Sequence, residues 1–397
     1  MKFASKVFPK LVYQLKLPFK RWAYEILDQL VIHFIPPGKS GGILLYRLDL
    51  LGDYLMCRPF FQILRKQLPF AETRIVFAGN QILEALAVEL DGNQFDHFFW
   101  IDRNRFINSL FYRHSILCAI RRQGFSTVIY PSHTRQYWLE SVLRVSGARR
   151  RITASSTGRY MNEWEQQLSS TWYSQILETG EKPLFEFYRN RAFFRQLVPQ
   201  AEFVSSLEDA CFQSGKSKAK LILMAPGAST AERQWPETAF IRLIRELHAH
   251  FPEYRFGLIG GAAEISLCKR IAVNSGLKDI QIFAGETSLP KSMQILSEAS
   301  LLISNESGPV HMAATTETAC VCISNGNHFG RWNPYPASLS PEIHTCYPES
   351  FYPLEENEPR LLENYHEHSA LPASLVPFER VFQACIHLLS SGAFQDN

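Results

Sequence analysis

Three polar clusters in this sequence have residue types and spacings that could carry chemistry. The first is RLDLLGDYLMCRP, in which Gly52 allows a tight turn after a strand and Asp53 follows that turn. A carboxylate at the carboxyl end of a strand could accept a proton from a substrate. An aspartate in the same place could also do no more than cap a helix. The residue types leave both interpretations open.

The second cluster, PGASTAERQWP, follows an apolar strand at residues 220–225. Small residues after a strand expose main-chain N–H groups, Ser229 and Thr230 add hydroxyls, and Arg233 adds a fixed cation. Together these groups suit a diphosphate. The alternative is an ordinary turn between a strand and a helix, with a surface arginine.

The third cluster, NESGPVHMAA, is a polar turn between a buried strand and a helix. It contains Glu306, Ser307 and Gly308, and a helix N-terminus presented by such a turn attracts an anion. His311 falls in the first turn of that helix, where it could reach the same ligand or pack inside the protein.

The elements that must position these clusters alternate between strand and helix patterns, which predicts parallel β–α–β units. Two Rossmann-like halves of this kind would place a ligand cleft at the carboxyl ends of both sheets. Strands are predicted at residues 42–47, 74–78, 125–130, 220–225, 256–260, 280–284 and 301–304. Helices are predicted at residues 54–68, over most of 160–197, from 235 onward and at 377–389.

Composition excludes several other classes of protein. With 397 residues, 46% hydrophobic and 20% charged, the chain is neither disordered nor a coiled coil. A net charge of +3 gives no indication of nucleic-acid binding. No apolar run reaches the roughly 18 residues that span a bilayer, and the first residues lack the apolar core of a signal peptide. The eight cysteines show neither CxxC pairs nor zinc-ligand spacing, so we expect reduced thiols in a cytosolic protein and no metal site.

The first 35 residues read as one or two basic amphipathic helices, broken by Pro9 and Pro18. Such a segment can lie on an anionic membrane surface. The alternative is a helix packed on the body of the protein, with its lysines merely solvated. The cations concerned are Lys2, Lys6, Lys10, Lys16, Lys20 and Arg21.

The order and spacing of several motifs resemble those of glycosyltransferase family 9, the heptosyltransferases of lipopolysaccharide core assembly. The motifs are RLDLLGDYLMCRP, PGASTAERQWP, GLIGGAAE, AGETSL, and NESGPVHMAA followed by GRWNPY. The resemblance covers about residues 42–335 and the terminal helix. It implies an α/β fold of GT-B type, with two Rossmann-like domains facing a central cleft. It also implies an inverting mechanism without a metal and a nucleotide-sugar donor, expected to be ADP-heptose, as the substrate rather than a cofactor.

Carried over residue by residue, the resemblance assigns the role of general base to Asp53. Two positions depart from the family pattern: Arg233 replaces the usual lysine, and Glu306 replaces an aspartate that faces the donor sugar, so the identity of that sugar stays open. Gly52 and Arg135 are the candidate acceptor contacts. The implied donor-binding residues are Ser229, Thr230, Arg233, Glu264, Thr287, Glu306, Ser307, Gly308 and His311.

The strand and helix pattern predicts how the chain is divided, and the resemblance implies what each domain binds. We expect a basic amphipathic extension at residues 1–40, then an acceptor-binding Rossmann-like domain at 41–197 and a linker at 198–219. A nucleotide-sugar-binding Rossmann-like domain at 220–376 and a C-terminal helix at 377–397 complete the chain. Cations in the N-terminal half would attract an anionic glycolipid, or each could belong to a solvated, locally paired surface. They are Arg103, Arg105, Arg113, Arg121, Arg122, Arg135 and Arg149–Arg151.

The leading hypothesis is an inverting glycosyltransferase that acts on a lipopolysaccharide-core or related glycolipid. We expect it in the cytoplasm, peripherally attached to the inner membrane and without a nucleic-acid partner. The main alternative is a catalytically impaired sugar-nucleotide-binding or membrane-surface scaffold of the same fold, which the two departures keep open. A nucleotide-sugar epimerase on this fold would explain the C-terminal half but not the turn that carries Asp53.

Overall fold

The structure is a computed structural model, and its description covers most of the chain. The described residues are 20–66, 73–156, 158, 160–180, 184–202, 207, 212, 218–340, 342–354 and 358–391. The first part of the predicted basic extension, residues 1–19, and most of the predicted linker lie outside the described residues.

The chain divides into two compact units, which are interleaved in sequence. Unit 1 comprises Met1–Asp49, Leu64–Glu84 and Asp91–Thr179. Unit 2 comprises Leu50–Ile63, Ala85–Leu90 and Gly180–Asn397. The turn that carries Asp53 therefore belongs to unit 2, with the second half of the chain, although it follows the first strand of unit 1.

Unit 1 is built on a six-stranded sheet whose strands all run parallel, in the order β3-β2-β1-β4-β5-β6. The central strands are buried along their whole length, as is usual where helices cover both faces of a parallel sheet. The strands are β1 Ile43–Arg47, β2 Ile75–Asn80, β3 His97–Ile101, β4 Thr127–Tyr130, β5 Arg150–Ala154 and β6 Gln175–Leu177.

Unit 2 is built on a second parallel sheet of six strands, in the order β12-β11-β10-β7-β8-β9. When the strands are numbered in chain order within each sheet, and the second sheet is read from β9 to β12, both sheets have the order 3-2-1-4-5-6. The two units therefore repeat one topology. The strands are β7 Ala219–Ala225, β8 Arg255–Leu258, β9 Gln281–Ile282, β10 Ala299–Asn305, β11 Ala319–Ile323 and β12 Ile343–Cys346.

Helices connect these strands within the described residues. None of the described helices is long and apolar enough to cross a membrane. The helices are α1 20–34, α2 Leu51–Cys57, α3 Phe61–Lys66, α4 Glu84–Asp91, α5 Arg103–Asn108, α6 Leu110–Gln123, α7 Tyr137–Val145, α8 Glu163–Ser170, α9 Glu186–Leu197, α10 Glu237–His250, α11 Ile265–Ser275, α12 Leu289–Glu298, α13 Gly308–Thr315, α14 Glu358–Tyr365 and α15 Phe378–Ser390.

The predicted α/β class is confirmed, and the helix predicted at residues 54–68 is corrected. That helix begins three residues earlier, at Leu51, and is interrupted by a 3-10 turn at Arg58–Phe60. The interruption has a local cause, because Pro59 lacks the N–H that would continue the α-helical hydrogen bonding. Five strands escaped prediction: β3, β5, β6, β11 and β12.

Two arginines of unit 1, expected at a cationic surface, turn inward and hold α1 to α6. Arg113 is buried and its Nη2 lies 3.2 Å from Asp28 of α1. Arg121 is also buried and donates to the main-chain carbonyls of Ile32 and Ile35, at the C-terminal end of that helix. Buried arginines are stable only when their donors are paired, and the carboxylate and the helix carbonyls provide those partners. Arginines that are buried and paired in this way do not form an exposed basic surface.

Candidate active site

A cavity of about 440 Å³ lies at the carboxyl edge of the unit 2 sheet. Its walls come from the segments that follow β7, β8 and β10 and from the start of α12. Ligands of open α/β sheets bind at this edge. The lining residues are Leu51, Ala225, Gly227, Ala228, Ser229, Ile259, Gly260, Gly261, Glu264, Thr287, Leu289, Ser292, Ser307, Pro309 and Met312.

Two glycines of the cavity wall allow Glu264 to fold back against main chain. A methyl group on Gly227 would lie 2.5 Å from Cγ of Glu264, and one on Gly260 would lie 2.9 Å from its Cβ. The Glu264 carboxylate accepts a hydrogen bond from the Gly261 N–H at 2.7 Å. This close packing fixes a carboxylate on the wall, where it can accept hydrogen bonds from hydroxyl groups of a ligand.

The helix that carries Asp53 starts at this cavity, because Leu51 in its first turn is part of the wall. Gly52 lets the helix approach α13 closely: a methyl group there would lie 2.5 Å from Cδ2 of His311. In turn, a methyl group on Gly308 would lie 3.1 Å from Cδ2 of Leu51. Glycines on both helices therefore seat α2 on the N-terminal turn of α13.

Asp53 lies in the first turn of α2, and its side chain is 20% exposed. The residue that precedes this helix is Leu50, which makes no side-chain capping bond, so Asp53 is not the capping residue. Its Oδ1 lies 3.7 Å from Nη2 of Arg331. Arg331 also donates from Nε to Glu186 at 2.9 Å. A partly exposed carboxylate held beside a cation is suited to accept a proton from a hydroxyl that approaches it.

Arg233 and Glu306, the two departures from the family pattern, contact each other. Nη2 of Arg233 donates to Oε1 of Glu306 at 3.1 Å and to its main-chain oxygen at 2.5 Å, while Nη1 donates to Ser229 at 3.3 Å. Glu306 is 3% exposed, and its other carboxylate oxygen accepts a hydrogen bond from Ser324. Burial raises the pKa of Glu306, and the neighbouring Arg233 opposes that rise. Glu306 lies behind the cavity wall and holds Arg233 against the wall residue Ser229.

His311 is buried between the two helices and is a neutral packing group. Its ring is hydrogen-bonded to the Tyr335 hydroxyl and lies edge-on to Trp332, with 5.1 Å between ring centroids. Burial lowers its pKa to about 4, and Arg233 contributes in the same direction. The histidine therefore supports the α2–α13 contact rather than reaching into the cavity.

The N-terminus of α13 faces the cavity through Ser307 and Pro309. The Ser307 hydroxyl donates to Asn305 and provides no capping bond to the helix. The first N–H groups of the helix are therefore not satisfied by a side-chain cap, and a helix end of this kind attracts an anion.

The structure places the predicted site residues in three groups. Ser229, Glu264, Thr287 and Ser307 line the cavity itself. Arg233, Glu306, Gly308, His311, Gly52 and Asp53 stand beside or behind its wall. Thr230 is exposed outside the wall, and Arg135 lies in unit 1, buried, with its Nε 3.1 Å from Glu140.

Sequence reasoning missed Arg331 and Glu186 as neighbours of Asp53. Arg331 stands in GRWNPY, and Glu186 opens EFYRNRAFFRQLV. Each is a charged residue within an aromatic-rich segment, and charges in such segments are usually paired with each other when they are buried. This signal could have pointed to the two residues, but it does not identify their partner.

The profile of glycosyltransferase family 9 (heptosyltransferase) matches residues 184–346, which contain β7 to β12 and most of the cavity wall. This match shows similarity to family 9 over less than half of the chain. The predicted resemblance is thus confirmed, as is the prediction that the chain is a glycosyltransferase. No curated protein matches the whole sequence significantly.

Solved structures show the fold of family 9 over both units. A family 9 glycosyltransferase from Veillonella parvula is 17% identical, with a TM-score of 0.66, covering 88% of this chain and 97% of that one. The E. coli ADP-heptose lipopolysaccharide heptosyltransferase II is 14% identical, with a TM-score of 0.61 and coverages of 88% and 99%. E. coli heptosyltransferase WaaC with ADP is 15% identical, with a TM-score of 0.62 and coverages of 87% and 99%. The predicted GT-B architecture is confirmed by these matches.

Proposed function

We propose that this chain transfers a heptose from ADP-heptose to a lipopolysaccharide-core or related anionic glycolipid, with inversion at the anomeric carbon. The observation that carries the proposal is the placement of Asp53 on a helix whose first turn lines the cavity and is seated on α13. Solved relatives named for ADP-heptose and for ADP support the choice of donor.

Transfer would be a single displacement. The acceptor oxygen attacks the anomeric carbon and forms the new glycosidic bond, while its proton passes to Asp53. The bond from the anomeric carbon to the diphosphate oxygen breaks, and its electron pair leaves with ADP. One base is sufficient, since the leaving diphosphate requires stabilisation of charge rather than a proton.

The diphosphate would be held by groups that line the cavity or adjoin its wall. Ser229 and the first N–H groups of α13 would donate hydrogen bonds, and the Arg233 guanidinium would add positive charge behind them. Glu264 would accept hydrogen bonds from the ribose hydroxyls. The protein therefore offers its own charge stabilisation, and we propose that transfer does not require a divalent metal.

The test is release of ADP from ADP-heptose, with vesicles of heptose-deficient lipopolysaccharide as the acceptor. Asp53→Asn should lower turnover by about 10²–10⁴-fold, the scale for loss of a general base, and leave ADP affinity by calorimetry nearly unchanged. Asp102→Asn is the matched control: Asp102 caps α5 in unit 1, and asparagine caps equally well. EDTA should leave the rate unchanged. Near-normal turnover in Asp53→Asn would refute the assignment of the base.

The scaffold alternative predicts a different result in the same assay. A binding protein would retain ADP by calorimetry but release none from any nucleotide-heptose or nucleotide-hexose, with or without acceptor. The contact between Arg233 and Glu306 weakens this alternative, because the two departures form one ion pair instead of two separate losses.

We also propose that unit 1 attaches peripherally to an anionic membrane through α1. One side of this helix is held to the body, where Glu25 and Asp28 pair with Arg144 at 2.8 and 2.9 Å. The other side carries a stripe of exposed apolar residues at every fourth position: Trp22, Ile26, Leu30 and Phe34. We call these four residues the α1 stripe.

A further exposed aromatic side chain lies on a neighbouring helix of unit 1. Lys20 donates to Asn108 at 3.0 Å, which brings the start of α1 beside the loop before α6, and Phe111 of α6 is 91% exposed. Exposed aromatic side chains next to a basic segment are typical of helices that lie in a membrane interface. The lysines that precede the helix in sequence would supply the attraction to anionic headgroups.

A further inference from the structure

Asp53 lies at one end of a buried row of charged side chains in unit 2. Arg331, which is 7% exposed, lies between Asp53 and Glu186. On the far side, Oε2 of Glu186 is 4.0 Å from Nε of Arg189, and both of these residues are buried. Two carboxylates and two guanidinium groups thus alternate from the cavity-side helix α2 to the helix α9.

Main-chain contacts fix the same row in place. The Glu186 N–H donates to the carbonyl of Arg331 at 3.0 Å, so this pair is joined through backbone as well as side chains. One helical turn further along α9, Asn190 donates to the carbonyl of Met56 at 3.2 Å and ties α9 to α2. Arg331 is therefore held by groups that do not depend on Asp53.

Burial of this row would be unfavourable if it served packing alone. Removing two ion pairs from water costs free energy that apolar side chains of the same size would not cost. The row also has an asymmetry: only Asp53 reaches a partly exposed position, at the end where a hydroxyl substrate would approach. A fixed cation next to it favours the ionised carboxylate, which is the form that accepts a proton.

We propose that Arg331 is a positioning residue for the Asp53 base and that Glu186 in turn orients Arg331 and partly neutralises it. The pair thereby controls both the direction of the carboxylate and the positive charge that it experiences. This inference rests on the proposed function only in calling Asp53 the base. The electrostatic relation among the three residues can be measured without any substrate.

Other charged or titratable groups lie on the described elements that pack against α2: His311 on α13, Arg58 in the 3-10 turn, and Arg189, Arg191 and Arg195 on α9. His311 from α13 is neutral, as its lowered pKa indicates. Arg189 from α9 faces Glu186, and Arg58 in the following 3-10 turn donates to the Leu90 carbonyl at 3.1 Å. Arg331 and Glu186 are therefore the two groups whose removal should move the potential at Asp53 in opposite directions.

The experiment places a titratable reporter at the base. In an Asp53→Cys protein without ligands, the rate of alkylation by iodoacetamide against pH gives the pKa of the introduced thiol, since only the thiolate reacts. The described native cysteines are buried, and the parent protein provides the background rate. Adding Arg331→Met should raise this pKa by about one unit or more, because an adjacent cation stabilises the thiolate.

Adding Glu186→Gln instead should lower the thiol pKa, because Arg331 then keeps its full charge. Arg331→Lys should retain most of the parent value, and Arg270→Met is the control, since Arg270 pairs with Glu237 on the surface. A merely structural pair would not give shifts of opposite sign. An unchanged thiol pKa in Arg331→Met, or a shift of the same sign in Glu186→Gln, would overturn the proposal. If Arg331→Met does not fold, the sign in Glu186→Gln alone decides.

The transfer assay then separates this proposal from the proposed function. With Asp53 intact, Arg331→Met should lower kcat about tenfold or more and move the acidic limb of the pH–rate profile upward, while ADP affinity stays the same. If Asp53→Asn loses activity but the pH profile of Arg331→Met is unchanged, the proposed role of Arg331 is refuted and the assignment of Asp53 as the base stands. Normal activity in Asp53→Asn would refute the base and leave the thiol measurement valid.

Discussion

At the residue scale, the ion pair between Arg233 and Glu306 explains why both positions differ from the family pattern together. An arginine guanidinium presents several N–H donors in a fixed fork, which a lysine ammonium does not. Nη2 of Arg233 donates two hydrogen bonds to Glu306, and Nη1 donates one to Ser229. The longer carboxylate is matched to the longer cation. The two substitutions therefore conserve a charge behind the cavity wall, with a changed geometry.

This pairing predicts a coupled effect on ADP affinity. Arg233→Ala should weaken ADP binding by about 1.5–3 kcal/mol, the scale of hydrogen bonds to a charged group. Glu306→Asp alone should weaken binding because it releases Arg233. Combining it with Arg233→Lys should cost less than the sum of the single changes.

Calorimetry measures this coupling on four proteins: the parent, Glu306→Asp, Arg233→Lys and the double variant Glu306→Asp/Arg233→Lys. Arg270→Ala is the control for loss of a surface guanidinium on the same unit. Additive losses in the double variant would show that the two residues act independently, contrary to the contact described here.

His311 makes folding of unit 2 sensitive to pH. Its pKa is lowered to about 4 in the folded protein, against an ordinary value of 6.5. Between these values the unfolded chain takes up a proton that the folded chain does not. The free energy of unfolding should therefore fall as the pH falls from 6.5 to 4, by up to about 1.4 kcal/mol per pH unit from this group.

His311→Gln should remove that part of the slope. Urea unfolding from pH 4.5 to 7 measures it, with the exposed His248→Gln as the control. The raised pKa of Glu306 has the opposite dependence, but it is present in both variants and cancels in the comparison. Parallel curves for the parent and His311→Gln would show that His311 is protonated without penalty.

The sequence was most informative at this scale for residues with short-range signatures. Ser229 and Ser307 could be predicted as ligand contacts because each lies in a polar turn that follows a strand, whereas Glu264 and Thr287 were predicted only from the resemblance to family 9. Arg331 and Glu186 could not be placed, because 145 residues separate them and their contact depends on how β11 and α9 are arranged. Arg135 has the charge of a ligand contact, but nothing local reveals its pairing with Glu140.

At the element scale, the contact between α2 and α13 determines where Asp53 stands. Gly52 faces a rigid ring, whereas Gly308 faces the end of a flexible leucine side chain. The same substitution in the two helices should therefore have different effects.

Gly52→Ala should destabilise the protein by about 1–3 kcal/mol, the usual cost of overpacking, and should reduce transfer because Asp53 is displaced. Gly308→Ala should be close to neutral, since Leu51 can turn away and alanine favours the helix. Urea unfolding and the ADP-release assay test both variants. Equal stability of the two would mean that α2 can move away from His311 without loss.

Prediction of elements succeeded where strands are continuous apolar runs. β1, β7 and β10 are such runs and were predicted to within two residues. β5 was missed because it begins with arginines, and β12 because its sequence IHTC mixes polar and apolar residues beside proline-rich segments. Both strands are stabilised by pairing with a neighbouring strand in the sheet. This tertiary contribution cannot be recognised in the local sequence.

At the scale of the whole molecule, the proposed membrane contact and the donor cavity belong to different units. The double substitution Trp22→Gln/Phe34→Gln in the α1 stripe should lower co-sedimentation with anionic vesicles several-fold. Lowering the salt concentration should restore little of this binding. ADP affinity should not change. The stripe would insert apolar area, and each basic residue of the segment before it would add about 1 kcal/mol of attraction.

The matched control replaces two exposed apolar side chains on another part of the surface. Val273 and Leu375 are exposed in unit 2, and Val273→Gln/Leu375→Gln should bind vesicles like the parent. Deletion of residues 2–19 should weaken binding most at low salt. Equal sedimentation of the parent and the stripe variant would refute the proposed membrane face and favour a stripe that another part of the chain or a second copy covers.

The glycine-rich wall of the cavity has a consequence for how such a protein can diverge. Gly227, Gly260 and Gly261 present main chain to the ligand, and at two of them any side chain would collide with Glu264. A surface made of peptide groups keeps its hydrogen-bonding pattern whatever the surrounding side chains become. Such a wall allows the side chains around it to diverge while the glycines and Glu264 keep its hydrogen-bonding groups in place.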